Sequence, residues 1–116
     1  MSGFQLVTKN ARTSDPIRIA VFFSGSGTGL NALLRHQDQT HCLHKTVLCV
    51  TDKENAGGIT FAREHGVPVV VETVDFELSK TERRKEHEAR IRIHLDDYDV
   101  DLIVLSGYMR LLSEDF

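Results

Sequence analysis

Residues 17–34, IRIAVFFSGSGTGLNALL, constrain this chain more than any other stretch. A short apolar run, residues 17–23, leads into six small residues, Ser24-Gly25-Ser26-Gly27-Thr28-Gly29. A helical pattern begins at Leu30, with Leu30, Leu33 and Leu34 on one face. A buried strand, a tight glycine turn and a helix that starts at the turn make a place for an anion. The glycines allow positive φ and close approach of the backbone. The first turn of the helix carries N–H groups without intrahelical partners, aimed at whatever sits above them. The Ser and Thr hydroxyls add donors, and phosphate is the natural guest. The competing explanation is a turn between buried elements that needs glycine only for its geometry.

Composition bounds the rest. With 116 residues, 41% of them hydrophobic and 27% charged, the chain suits one small domain with a modest core. A formal net charge of −3 gives no electrostatic footprint for nucleic acid or an anionic membrane. No apolar run approaches membrane-spanning length and no signal peptide opens the chain, so a cytoplasmic location is expected. Two cysteines, Cys42 and Cys49, are too few for a disulfide scaffold, in keeping with a reducing compartment. Cys49 lies in an apolar run and reads as a small buried hydrophobe. Cys42 sits in His41-Cys42-Leu43-His44, where a zinc or thiol site is conceivable, but the spacing matches no usual zinc pattern and no second cluster in the sequence completes it. No metal is expected.

Along the chain, residues 1–16 are polar and aperiodic, a flexible lead-in that ends at Pro16. Residues 17–116 form the domain. Residues 45–51, KTVLCVT, read as a second buried strand. Ala56-Gly57-Gly58 opens a second helix with Ile59, Phe61 and Ala62 inward and Gly66 as its C-cap. Residues 67–71 make a third strand, with Pro68 at its start. Ser79 and Glu82 form a capping-box pattern before a highly charged helix over 82–95, whose inner face is the narrow stripe His87, Ile91, Leu95, with Tyr98 closing the packing at its end. Residues 101–105 are a fourth strand, 106–110 a loop, and Leu111 to Phe116 the start of a further element.

Alternating strands and helices with right-handed crossovers predict an α/β fold: a three-layer, open parallel sheet in the order 3-2-1-4, Rossmann-like. The gap between strands one and four is then the topological switch point, where ligands of such sheets bind. Loops 24–29 and 106–110 meet there, one glycine-rich and the other carrying Arg110. Strand four ends the sheet, so exposure of Ile103 and Leu105 at that edge is expected.

Two phosphate-binding patterns compete for the turn. Gly25-x-Gly27-x-Gly29 departs from the dinucleotide spacing, since Leu30 stands where the third glycine belongs, although Asp52 after the second strand imitates the ribose-binding acid. The ATPase loop needs Lys-Ser/Thr after its last glycine, and Leu30-Asn31 stands there. Three stretches together, SGSGTGLNALL, VTDKENAGGITFAREHGVPV and DLIVLSGYMRLLSEDF, resemble the amino-terminal half of the glycinamide ribonucleotide formyltransferase family, the folate-dependent transformylases of purine synthesis. The resemblance runs from Ile17 to Phe116, and DLIVLSGYMRLLS is its most specific part.

That resemblance implies roles. Gly27, Thr28 and Gly29 match the family's Gly-Ser-Asn phosphate-binding triplet; Thr28 keeps the hydroxyl, while Gly29 removes the polar side chain of the usual Asn. Asn31 stands where Gln is usual. Arg84, aligned by counting back from Asp101, matches an arginine that reaches the substrate phosphate; as a bare residue it is one more solvated charge. Met109, Arg110, Leu111 and Leu112 match the segment that holds the folate pterin; without the resemblance, Met109 and Leu111 read as core. The catalytic Asn and His of the family belong to an Asn-Ile-His-Pro segment expected shortly beyond Phe116, and its catalytic Asp follows further on. No residue here matches them, His36, His41, His44, His65, His87 and His94 included, so no catalytic residue is assigned and the chain reads as a half truncated before the catalytic segment. The implied cosubstrate is 10-formyltetrahydrofolate and the substrate glycinamide ribonucleotide, with no nucleic acid or membrane partner, and with a homo-oligomer or a missing C-terminal half as the partner. A nucleotide-binding module and a non-catalytic scaffold are the competing classes.

Overall fold

The structure, a computed structural model, describes residues 15–38, 42–73 and 77–108. The elements run β1 (Ile17–Phe23), α1 (Thr28–Gln37), β2 (His44–Thr51), α2 (Gly58–Glu64), β3 (Val69–Val71), α3 (Lys80–Asp97) and β4 (Leu102–Leu105). The strands form one parallel sheet in the order β3-β2-β1-β4, as the sequence predicts. Most of the lead-in, residues 1–14, lies outside the described residues, as does the element expected from Leu111 to Phe116. Among the described residues no helix is long and apolar enough to cross a membrane.

Alternation along β1 builds both faces of the core. Ile19, Val21 and Phe23 point to one side, where Leu30 and Leu34 of α1 and Ile59 and Ala62 of α2 cover them together with Cys49. Ala20 and Phe22 point to the other, packed with Leu48, Val50, Ile103 and Ile91 of α3. Because both faces are covered, β1 and β2 carry near-continuous apolar runs, the signature of a buried parallel strand. The β1–β2 register slips between Ile19 and Ala20, so that Thr46 and Leu48 pair with consecutive residues and Val47 is the extra one.

Helix ends follow local chemistry. Ser79 caps α3 by accepting from the Glu82 N–H at 3.2 Å, the predicted first half of the capping box. Gly66, at φ 70°, ends α2 in a Schellman arrangement: its N–H reaches the Arg63 carbonyl and the Val67 N–H the Ala62 carbonyl. The same arrangement ends α3, but with Asp99 in the left-handed position at φ 51°. There Arg18 crosses from β1 to donate from Nε and Nη2 to the Tyr98 carbonyl, at 3.0 and 2.8 Å. The one charge in β1 thus satisfies the carbonyl end of a helix and complements its dipole.

The expectation for β4 is corrected. Ile103 is only 4% exposed and Leu105 is half-buried rather than open. An edge strand exposes backbone groups along its side; its faces stay covered, here by α3 and Tyr108 over Ile103 and Leu105. Glu88, outside the predicted stripe of α3, is also buried, beside His87 and Ile91.

Candidate anion-binding site

The turn after β1 and the turn after β4 meet at the carboxyl edge of the sheet, at the reversal of strand order. Between them Gly25, Ser26, Gly27, Thr28, Gly29, Ser106 and Gly107 line a cleft of ≈ 290 Å³. A larger cleft, ≈ 590 Å³, opens at the other end of the molecule among Arg18, Gln37, His44, His65 and Pro68. Size does not decide between them: in open parallel sheets the carboxyl ends at the switch point present helix N-termini to a ligand.

Gly27 holds the N-cap of α1 in the left-handed region, φ 75° and ψ 24°. The helix therefore begins at Thr28, two residues before its apolar pattern shows. Its first intrahelical bond is from the Asn31 N–H to the Gly27 carbonyl at 2.8 Å, which leaves the amides of Thr28, Gly29 and Leu30 without helical acceptors. Among the described residues no side chain caps this end and no acid stands in its first turn, so the positive end of the dipole meets the cleft uncompensated. Ser26 Oγ and Thr28 Oγ1 share a hydrogen bond at 3.0 Å at the exposed rim and add hydroxyls to the same spot.

The glycines also have a packing reason. A Cβ on Gly27 would stand 2.4 Å from the Cα of Gly58, and the Gly58 N–H donates to the Gly25 carbonyl at 3.2 Å. The start of α2 thus lies backbone against backbone on the turn, a contact between two glycine groups about thirty residues apart that neither reveals alone. A Cβ on Gly29 would fall 2.7 Å from Ser106 Oγ. Gly29 therefore makes room for the serine that closes the cleft from β4, and Ser106 is a lining residue that the sequence places only in a loop. Both explanations of the turn hold together: the geometry is needed for packing, and it leaves amides facing outward.

Asp52 is not presented as a ribose-binding acid. It is 5% exposed, and its Oδ1 accepts from Ser24 Oγ at 2.7 Å. It ties the end of β2 to the first residue of the turn.

Of the predicted phosphate contacts, Gly27, Thr28 and Gly29 come together in the cleft, while Arg84 is exposed on the second turn of α3 and is not among the described residues that line it. Met109, Arg110, Leu111 and Leu112 lie outside the described residues. The described part of the site holds donors for an anion. Tyr108, in the loop that leaves β4, is anchored: its hydroxyl is 2.7 Å from His87 Nε2 and its ring meets Phe22 edge-on, centroids 5.2 Å apart. His87, read from the sequence as part of an apolar stripe, thus reaches the loop that leaves β4.

Comparison with known proteins agrees with this geometry. The chain is 34% identical to the phosphoribosylglycinamide formyltransferase of Brucella melitensis, with a TM-score of 0.76 over 84% of this chain and 49% of that one. It is 34% identical over 95 residues to the chloroplastic phosphoribosylglycinamide formyltransferase of Glycine max, covering 81% of this chain and 30% of that protein. It is 30% identical over 103 residues to the trifunctional purine biosynthetic protein adenosine-3 of Gallus gallus, covering 89% of this chain and 10% of that one. The chain thus spans half or less of the length of these relatives. The formyl transferase family model matches residues 17–116, the whole sheet and both turns of the cleft, and the chain belongs to that family.

Proposed function

We propose that this chain forms the substrate-phosphate cradle, and part of the folate wall, of a phosphoribosylglycinamide formyltransferase. The observation that carries the reading is the uncapped start of α1 at Gly27, Thr28 and Gly29, open to the cleft in a member of the formyl transferase family. The amides at the start of α1 and the Thr28 hydroxyl donate to the phosphate of glycinamide ribonucleotide, with charge-assisted bonds of the stronger kind. Arg84 adds an exposed positive charge from α3. The Tyr108 anchor sets the start of the segment Met109, Arg110, Leu111 and Leu112, which holds the pterin of 10-formyltetrahydrofolate.

In the reaction the substrate amine attacks the formyl carbon of 10-formyltetrahydrofolate, and an oxyanion develops that needs fixed donors and a proton acceptor nearby. The family supplies these from an Asn, a His and an Asp that match no residue between Met1 and Phe116. The role of this chain in that reaction is to hold the substrate's phosphate so that the amine reaches the donor.

Calorimetry on the purified chain tests this. Glycinamide ribonucleotide binds, Thr28→Val and Arg84→Ala each weaken it severalfold, and NAD gives no heat. Binding of NAD that Asp52→Ala weakens would establish the dinucleotide module instead; heat from neither ligand would leave a scaffold.

A further inference from the structure

At the end of the molecule away from the anion cleft, the end of α1 and the start of β2 bring together three side chains that metals prefer. His36 comes from the last turn of α1, Cys42 from just before β2, and His44 from its first position. One donor atom from each lies within 4.8 Å of the others. The sequence shows only Cys42 and His44 as neighbours; the fold adds His36 by turning the helix end back over the strand start.

We propose that His36, Cys42 and His44 form a zinc-class metal site with an open fourth position. Tetrahedral zinc with bonds of about 2.3 Å to sulfur and 2.0–2.1 Å to nitrogen places its ligand atoms roughly 3.3–3.6 Å apart. Cys42 Sγ stands 3.7 Å from His44 Nδ1, close to that separation. The rings of His36 and His44 are stacked beside it, centroids 5.6 Å apart and 23° from parallel. His36 is exposed and the other two are half-buried, which leaves an entry path.

The surroundings also select the tautomer. Gln37 Oε1 accepts from the Thr46 N–H at 2.9 Å and from Thr46 Oγ1 at 2.6 Å, which fixes the orientation of its amide. Its Nε2 therefore donates to His44 Nδ1, 2.8 Å away, and that nitrogen carries a lone pair. A metal takes that lone pair in place of the Gln37 N–H. A thiolate and two imidazoles suit zinc or cobalt and disfavour magnesium or calcium, which take oxygen. Bound there, the ion staples α1 to β2 at the rim of the ≈ 590 Å³ cleft, which Cys42 and His44 help to line. Because the site is in the native chain only, metal raises its stability by mass action.

Untagged full chain titrated with Co²⁺ tests the site. One equivalent should develop thiolate-to-cobalt charge-transfer absorption together with the intense visible bands of tetrahedral cobalt, and Zn²⁺ should displace it. Cys42→Ser should abolish the charge-transfer band, while His36→Ala and His44→Ala should each weaken cobalt binding roughly tenfold or more. His94→Ala, on α3, should leave it unchanged. Zn²⁺ should raise the melting temperature of the parent and not of Cys42→Ser, with circular dichroism showing each variant folded. Absence of the band, its survival in Cys42→Ser, or undiminished binding in His36→Ala would each overturn the proposal.

Discussion

A single atom at Gly27 separates this turn from any that a side chain could make. The residue sits at φ 75°, and a Cβ there would meet the Gly58 Cα at 2.4 Å. Gly27→Ala combines left-handed strain of about 1–2 kcal/mol with overpacking of about 1–3 kcal/mol, so a loss of about 2–5 kcal/mol is expected in urea denaturation. Gly25→Ala, with nothing within 4 Å of its added carbon, should lose far less. Cys49 gives a pH prediction. Burial pushes its thiol up from 9.0 to about 12. The native chain then holds the proton more tightly than the unfolded one. Its contribution is fully present below pH 9.0 and is lost as pH rises toward about 12. The urea midpoint of the parent should fall more steeply over that range than that of Cys49→Ala. The same burial keeps Cys49 from thiol reagents in the native state, while half-buried Cys42 reacts.

At the scale of elements, the junction of β1 with the end of α3 shows what periodicity hides. Arg18 interrupts an otherwise apolar strand, and its partners, the carbonyls of Tyr98 and Asp99, lie 80 and 81 residues on. Arg18→Met keeps the stem and removes the charge-assisted bonds, with an expected cost of about 1.5–3 kcal/mol by thermal or urea unfolding. Asp99, held at φ 51° where glycine is at ease, offers the reverse. Asp99→Gly should stabilise the chain, by up to about 1 kcal/mol, because strain relief outweighs the extra freedom of the unfolded chain; an unchanged or lower midpoint would show that the aspartate is already at ease there. The capping of α3 was legible because Ser79 and Glu82 are three residues apart. The Arg18 bond was not, because it depends on how β1 and β4 pair.

For the whole molecule, alternation and handedness narrowed the strand order: four apolar runs joined by three helical ones leave few topologies, and the observed one, with its reversal between β1 and β4, is among them. That the turn after β1 and the turn after β4 meet at one cleft was legible for the same reason. The contact of Gly27 with Gly58, the fit of Gly29 to Ser106, the anchoring of Tyr108 by His87 and the meeting of His36 with Cys42 were not, since each joins different elements through side-chain size or direction. The covered faces of β4 belong with these: an edge in topology is not an exposed face in packing. The proposed function rests on the start of α1 binding the substrate's phosphate. Titrating isotope-labelled chain with glycinamide ribonucleotide, while following every backbone amide by NMR, tests it most directly. Saturable shifts centred on the amides of Thr28, Gly29 and Leu30, lost in Thr28→Val and absent with NAD, are the predicted result; shifts centred on the opposite cleft, or none at the start of α1, would contradict it.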